Sequence, residues 1–164
     1  MALSENQRQL TDKIIGAAIE VHRELGCGLK EEAYEAALAW ELRQRGLAVE
    51  RQVPCPVVYK GIVLCDRDEH PKRIDLLVEG KIVVELKAVS RHDPVFAAQC
   101  LTYLKMKNLQ VGLVLNFGFS TLKEGIRHVL NDKTPPSPSS PSSPCLPPSV
   151  PSVLSAAGKK ESPQ

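Results

Sequence analysis

The segment RIDLLVEGKIVVELKAV, residues 73–89, places the strictest condition on how this chain folds. Its two halves are rich in β-branched residues and flank a Glu-Gly-Lys run at 79–81, which is typical of a β-hairpin. If the connection has an odd number of residues, with glycine in the left-handed conformation, Asp75, Glu85 and Lys87 point to one face, because side chains alternate along a strand. A two-residue turn would put Asp75 and Glu85 on opposite faces, so the chemistry of this segment depends on its register.

The rest of the chain up to Asp132 predicts helices and strands around this hairpin. Apolar residues recur at helical spacing in two N-terminal stretches, each followed by glycine, and segments rich in β-branched residues come next. This pattern indicates an α/β fold with a mixed central β-sheet flanked by α-helices, whose last strand joins after a helical crossover. The predicted order is helix 10–25, helix 30–45, strands 49–54 and 56–64, the hairpin, helix 94–107, buried strand 111–117 and closing helix 121–130.

Composition divides the chain into three parts. Of its 164 residues, 43% are hydrophobic and 24% charged, which is ordinary for one domain with a core. After Asp132, proline and serine dominate, and such a segment buries too little apolar surface to offset its ordering entropy. We therefore predict a flexible N-terminus over 1–9, one domain over 10–132 and a disordered tail over 133–164, which is a spacer or, alternatively, a proline-motif ligand.

Charge and cysteine content exclude several classes of function. The net charge is only +2, so any contact with nucleic acid must come from a local patch. The five cysteines form no C-x-x-C pair and the four histidines have no metal-ligand spacing, which argues against a zinc site. No apolar run reaches the roughly 18 residues that span a bilayer, and no signal-peptide pattern is seen. We expect a cytoplasmic, intracellular protein with reduced thiols and no membrane partner.

The predicted hairpin brings together residues suited to hydrolysis of a phosphodiester. Two carboxylates, Asp75 and Glu85, on an otherwise apolar sheet face would repel each other unless a cation lay between them. Hard oxygen ligands favour Mg²⁺ or Mn²⁺. Lys87, on the same face, can orient a water nucleophile or stabilise charge on phosphate. The plainer alternative is a hairpin whose charged residues only face solvent.

Two helical features add to this candidate site. Glu31 lies one turn before Tyr34, so a carboxylate is in register with the buried face of the second helix. Gln99 and Tyr103, four residues apart on a later helix, share a face and can both reach toward the same sheet. Both features favour a site over a solvated hairpin.

At the start of the second helix, GLKEEAY at 28–34 matches a GxxExxY signature. The chain resembles the GxxExxY protein family, placed within the PD-(D/E)XK nuclease superfamily. The likeness covers roughly residues 10–132 and runs through AYEAALAWELRQRGL, VERQVPCPVVYKGI, RIDLLVEGKIVVELKAV, AAQCLTYLK and GLVLNF.

This resemblance implies a restriction-endonuclease-like core and a metal-dependent nuclease. Asp75 and Glu85, with the backbone carbonyl of Leu86, would bind Mg²⁺ or Mn²⁺, and Lys87 would assist catalysis. Two further contributions are implied by similarity to parts of the superfamily: Glu31 as a helix carboxylate completing the metal site, and Gln99 with Tyr103 as residues that position the scissile strand or a water. The implied partner is nucleic acid, with DNA expected.

One segment departs from the family pattern. The run LCDRDEHPKRID, residues 64–75, replaces the short leucine-aspartate-glycine-aromatic-arginine approach to Asp75, although Arg73 and Asp75 remain. The alternative function is therefore a catalytically inactive nucleic-acid-binding or protein-interaction module on the same fold. A third hypothesis is an unrelated α/β domain in which the acidic residues only form salt bridges.

Overall fold

The computed structural model describes residues 3–60, 62–63 and 72–132. Most predicted elements lie where the sequence placed them. The differences are at both ends of the described region and at 56–64, predicted as one strand, which contains two short strands that pair with each other. The elements in chain order are α1 (Glu5–Leu25), α2 (Glu31–Gln44), β1 (Val49–Pro54), β2 (Val58–Tyr59), β3 (Ile62–Val63), β4 (Arg73–Val78), β5 (Ile82–Lys87), α3 (Pro94–Lys107), β6 (Val111–Asn116), α4 (Leu122–Gly125) and β7 (Ile126–Leu130).

Five of these strands form one sheet in the order β1-β4-β5-β6-β7, and β2 pairs with β3 in a separate small hairpin. All neighbours in the main sheet are antiparallel except β5 and β6, which run parallel. Helix α3 makes the crossover between those two strands, as a parallel connection requires. The predicted α/β architecture with a mixed sheet flanked by helices is confirmed.

The hairpin turn at 79–81 has an odd number of residues, which is the condition for Asp75 and Glu85 to share a face. Val78 pairs with Ile82, and Glu79 and Gly80 have positive φ angles of 53° and 61°. The same register brings Asp75 opposite Glu85 beyond the last paired residues. The two carboxylates therefore lie on neighbouring strands of one sheet, at the same height.

Helices cover both faces of the sheet because both faces are apolar. Helices α1 and α2 pack on one face, where Leu76, Val84 and Leu113 are fully buried. Helix α3 packs on the other face, through Cys100, Tyr103 and Leu104. The β4–β5 hairpin is thus buried between helical layers, with the Glu85 carboxylate buried and the Asp75 carboxylate half-buried.

The N-terminal helix begins earlier than the sequence predicted. Residues 1–9 were expected to be flexible, but α1 starts at Glu5. Ser4 and Gln7 form a reciprocal capping box, which satisfies free N–H groups at the start of the helix. Gln7 also donates a hydrogen bond to the Gln110 side chain, which ties the first turn of α1 to the segment before β6.

The predicted closing helix over 121–130 is wrong. Only Leu122–Gly125 is helical, and Ile126–Leu130 forms β7, antiparallel to β6. At Gly125 the backbone passes so close to Asn116 that an added Cβ would overlap the Asn116 carbonyl oxygen. Pairing with the open edge of β6 overrides the local helical pattern, and glycine permits the close approach.

Two segments singled out in the sequence lie outside the described residues. They are most of the atypical approach to Asp75, at 64–71, and the tail over 133–164. Within the described part of the chain, no helix is both long enough and apolar enough to cross a bilayer.

Candidate active site

Strands β4 and β5 place Asp75 and Glu85 at the point where their regular pairing stops. The last paired residues are Leu76 and Val84. Beyond them, the Asp75 carboxylate replaces the strand partner: its Oδ2 accepts a hydrogen bond from the Leu86 N–H at 2.8 Å. Because N–H and C=O of one residue lie on the same edge of a strand, the Leu86 carbonyl also faces β4. Carboxylate and carbonyl oxygens therefore converge between the two strands.

The backbone of β1 is distorted opposite Asp75. Gln52 has a φ of 50°, a left-handed conformation that costs roughly 1–3 kcal/mol for a residue other than glycine. In β4, Ile74 packs in the same core cluster as Leu77, although regular alternation would place it with Leu76 on the other face. The two strands therefore change orientation at the Gln52–Asp75 level, beside the candidate site.

Glu85 is a buried carboxylate with an unsatisfied oxygen. Only 1% of its surface is exposed, and within the described structure its Oε2 has no hydrogen-bond partner. Its Oε1 accepts a hydrogen bond from Lys87 Nζ at 2.6 Å. Burial, and then the nearby charge of Asp75, raise the pKa of Glu85 to about 7, against the opposing effect of Lys87.

Lys87 lies between two carboxylates. Its Nζ is 2.6 Å from Glu85 and 3.8 Å from Glu31, and 5.6 Å from the centre of the Phe96 ring. Burial lowers the pKa of Lys87, but the charge of Glu85 and its hydrogen bond outweigh burial, so the pKa is raised overall. Lys87 is therefore a fixed positive charge at neutral pH, held in a defined position.

The GxxExxY motif has a structural role at the start of α2. The buried Tyr34 hydroxyl donates to the Gly26 carbonyl at 2.7 Å and accepts from the Leu29 N–H at 3.1 Å. These bonds fix the connection between α1 and α2, so that Glu31, the first residue of α2, lies beside Lys87. Burial raises the pKa of Glu31, partly against the charge of Lys87.

Gln99 and Tyr103 share a face of α3, as predicted. Gln99 Nε2 donates to the Tyr103 hydroxyl at 3.2 Å, and both line a cleft of about 400 Å³ that Lys72 also borders. Burial raises the pKa of Tyr103, and the charges of Glu85 and Asp75 add to this effect. The pair is therefore near the acidic site, although no hydrogen bond joins it to either carboxylate in the residues described.

Glu35, a buried carboxylate on α2, was not identified from the sequence. This carboxylate is only 4% exposed, and it accepts hydrogen bonds from Arg51 Nε at 2.8 Å and Gln52 Nε2 at 2.6 Å. The Gln52 side chain and Asp75 line the same cleft, and Gln52 partly opposes the rise in the pKa of Asp75. Glu35 therefore fixes the Gln52 side chain near Asp75. Its spacing of four residues from Glu31 places both on one face of α2, but that spacing does not by itself indicate burial.

The acidic residues fit a small divalent cation held by few protein ligands. No group of three or more His, Cys, Asp or Glu side chains is arranged to hold a metal within the ranges 3–60, 62–63 and 72–132. Lys87 lies between Glu31 and Glu85. Asp75, the free Oε2 of Glu85 and the Leu86 carbonyl remain. Mg²⁺ typically binds one or two carboxylates and takes its other ligands from water and substrate phosphate, so this set suits it.

The structure combines an α/β core, a hairpin with two acidic residues, and a lysine two residues after the second of them. This combination is typical of a class of nucleases. The chain matches the model of the PD-(D/E)XK nuclease superfamily over residues 8–129, which is most of its length. It belongs to that superfamily, and its sheet and helices form the restriction-endonuclease-like core. No curated protein and no solved structure gives a significant match. Assignment to the GxxExxY family within the superfamily stays a prediction.

The raised pKa of Glu85 predicts how stability depends on pH without metal. Its ordinary pKa of 4.5 rises to about 7 in the folded protein, so the folded state binds more protons than the unfolded chain between these values. The free energy of unfolding should therefore fall as pH rises through this interval, by up to about 3 kcal/mol. Urea denaturation in EDTA at a series of pH values measures this slope.

Glu85→Gln is the matched control, because glutamine keeps the shape and cannot titrate. The variant should be less sensitive to pH than the wild type over the same interval. Equal slopes in the two proteins would show that Glu85 does not carry the raised pKa.

Proposed function

We propose that this protein is a metal-dependent nuclease that hydrolyses phosphodiester bonds of nucleic acid. The observation that carries the proposal is the buried, unpartnered Oε2 of Glu85 beside Asp75. A buried carboxylate oxygen without a donor is costly, and a cation bound between the two acids would remove that cost. Membership of the nuclease superfamily supports the same activity.

The proposed ligands of the ion are Asp75, Glu85 and the Leu86 carbonyl, with Mg²⁺ or Mn²⁺ as the expected cation. When bound, the ion supplies Lewis-acid stabilisation of charge on the phosphodiester. Asp75 is held for this role by the Leu86 N–H, and Gln52 lies beside it in the same cleft. Glu35 fixes Gln52, so it acts as a positioning residue.

Lys87 is the proposed source of positive charge at the reacting phosphate. Its Nζ keeps its proton at neutral pH and can donate hydrogen bonds to an attacking water or to phosphate oxygens as negative charge develops. Glu31 and Glu85 hold the ammonium group from either side, so it needs no rearrangement to act. Glu31 thus completes the site through Lys87 rather than as a third carboxylate of a preformed cluster.

The expected substrate is DNA. Gln99 and Tyr103 line a cleft with Lys72 on its border, and the charges of Glu85 and Asp75 reach Tyr103. We propose that these side chains position the scissile strand. Amide, hydroxyl and ammonium groups are common phosphate contacts.

The test is cleavage by the purified full chain of single- and double-stranded DNA and RNA, labelled at one end, with Mg²⁺, Mn²⁺ or EDTA. We expect cleavage of DNA that requires metal and stops with EDTA. Cleavage that continues in EDTA would contradict the metal dependence. Binding without cleavage of any substrate at millimolar metal would contradict the proposed activity and support an inactive binding module.

A further inference from the structure

Strand β7, which the sequence did not predict, carries a charged residue in line with the candidate site. Glu85 pairs with Val114 on β6, and Val114 pairs with Arg127 on β7. Residues paired directly across a sheet point to the same face, so Arg127 faces the side that carries Glu85. Two strand spacings of about 4.8 Å place the two residues roughly 10 Å apart along the row.

The guanidinium of Arg127 is held in place without a carboxylate. Its NH1 donates to the carbonyls of Ile126 at 2.8 Å and Glu124 at 3.3 Å. Its NH2 lies 3.3 and 3.4 Å from the two ring nitrogens of His92, a geometry that fits a group over the ring face. His92 stacks in turn on Phe119, with ring centres 4.5 Å apart. No acidic side chain lies within ion-pair distance of Arg127 in the part of the chain described here.

Arg127 borders a cleft that leads toward Lys87. The cleft has a volume of about 200 Å³. Phe96 forms part of its wall and also contacts the Lys87 ammonium, while Asn116, another wall residue, pairs with Lys87 in the sheet. The acidic group at its rim, Asp93, is engaged by Arg91 at 3.7 Å and by the Val95 N–H at 3.0 Å. Among the described residues that line this cleft, Arg127 therefore carries a positive charge that no carboxylate neutralises.

We propose that Arg127 binds a backbone phosphate of the nucleic-acid strand, next to the phosphate at the acidic site. The inference rests on the proposed function for the identity of its ligand. A guanidinium presents several charged donors that suit phosphate oxygens, and the groups that contact Arg127 in the described residues, two carbonyls and an imidazole, carry no carboxylate charge to neutralise it. The row from Asp75 and Glu85 to Arg127 then defines a path for the strand across the sheet, along the start of α3.

The experiment measures binding of a fluorescently labelled DNA oligonucleotide by the full chain in EDTA, so that turnover does not interfere. Arg127→Gln removes the charge and keeps a polar side chain. We expect it to weaken binding about tenfold at ~0.1 M salt, as loss of one charge-assisted contact would. The slope of log K against log salt should fall by about 0.7 to 0.9, the value for one phosphate contact.

Arg8→Gln is the matched control, because Arg8 is an exposed arginine on α1, against the opposite face of the sheet. It changes the net charge equally and should leave the salt slope unchanged. Equal effects of the two variants, or no effect of Arg127→Gln, would overturn the proposal. If Arg127→Gln does not fold, Arg127→Met replaces it: weaker binding than for Arg8→Met supports the phosphate contact, and equal binding overturns it.

The outcome separates this inference from the proposed nuclease activity. Loss of affinity in Arg127→Gln, together with absence of cleavage by the wild type in metal, would retain the phosphate contact and reject the nuclease. Cleavage by the wild type with unchanged binding in Arg127→Gln would reject the contact alone.

Discussion

Asp75→Asn is expected to reduce metal-dependent cleavage by at least ~10²- to 10³-fold while leaving the fold intact. The substitution removes a ligand charge from the proposed metal site, where electrostatic stabilisation of the reaction is concentrated. Asparagine keeps an oxygen that can accept the Leu86 hydrogen bond. Burial, together with the charge of Glu35, raises the pKa of Asp75, so the uncharged amide should cost no stability without metal. Cleavage rates and thermal melting in EDTA measure both effects.

The same variant should lose stabilisation by metal. A cation that binds only the folded site contributes RT ln(1 + [L]/Kd), or about 1.4 kcal/mol at ten times Kd. Millimolar Mn²⁺ should therefore raise the melting temperature of the wild type and leave Asp75→Asn unchanged. Wild-type rates of cleavage in Asp75→Asn would assign the chemistry to other residues. An equal Mn²⁺ shift in both proteins would place the metal elsewhere.

Lys87→Ala is expected to lose cleavage to a similar degree yet keep its response to metal. The ammonium group lies 2.6 Å from Glu85, so its removal takes a competing positive charge away from the proposed ligand. The Mn²⁺ shift in melting temperature should be equal to or larger than that of the wild type. Cleavage should fall because the ammonium group that assists the water or the phosphate is lost.

Lys81→Ala, in the exposed turn of the same hairpin, is the matched control for charge. It should retain both cleavage and the Mn²⁺ shift. If Lys87→Ala cleaves at the wild-type rate, the lysine has no part in the chemistry. If it loses the Mn²⁺ shift, Lys87 supports the metal site itself, and the proposed separation of binding from turnover fails.

The hairpin could be predicted from sequence because its signals are local. Two runs of β-branched residues around Glu79 and Gly80 define both strands and the turn, and the length of the turn fixes which side chains share a face. Helix α3 was predicted over its full length, because Asp93 and Pro94 form a standard start. Such elements carry their own boundaries in their sequence.

The end of the chain could not be predicted in the same way. Leu122, Ile126 and Val129 are compatible with a helical face, and local pattern favoured a helix. The strand forms because β6 has an open edge, which is a property of the assembled sheet. The sequence therefore predicted Arg127 on a helix, and its alignment with Glu85 across the sheet could not be predicted.

The network around Glu35 escaped prediction for a different reason. Glu31, Glu32 and Glu35 form an acidic run at the start of a helix, which is usually solvent-exposed. Burial of Glu35 depends on Arg51 and Gln52, which β1 delivers from elsewhere in the chain. Contacts between distant charged residues have no local signature, whereas the pairing of Asp75 with Glu85 follows from one turn.

The turn at 79–81 makes the candidate site depend on the length of this hairpin. Glu79 is anchored at both ends, since its N–H donates to the Ala48 carbonyl and its carboxylate accepts from the Ala48 N–H. Loss or gain of one residue there would turn β5 over relative to β4, moving Glu85 to the opposite side of the sheet from Asp75. Insertion or deletion of a single codon in this turn would therefore disrupt the site in one step, without removing any residue that forms it.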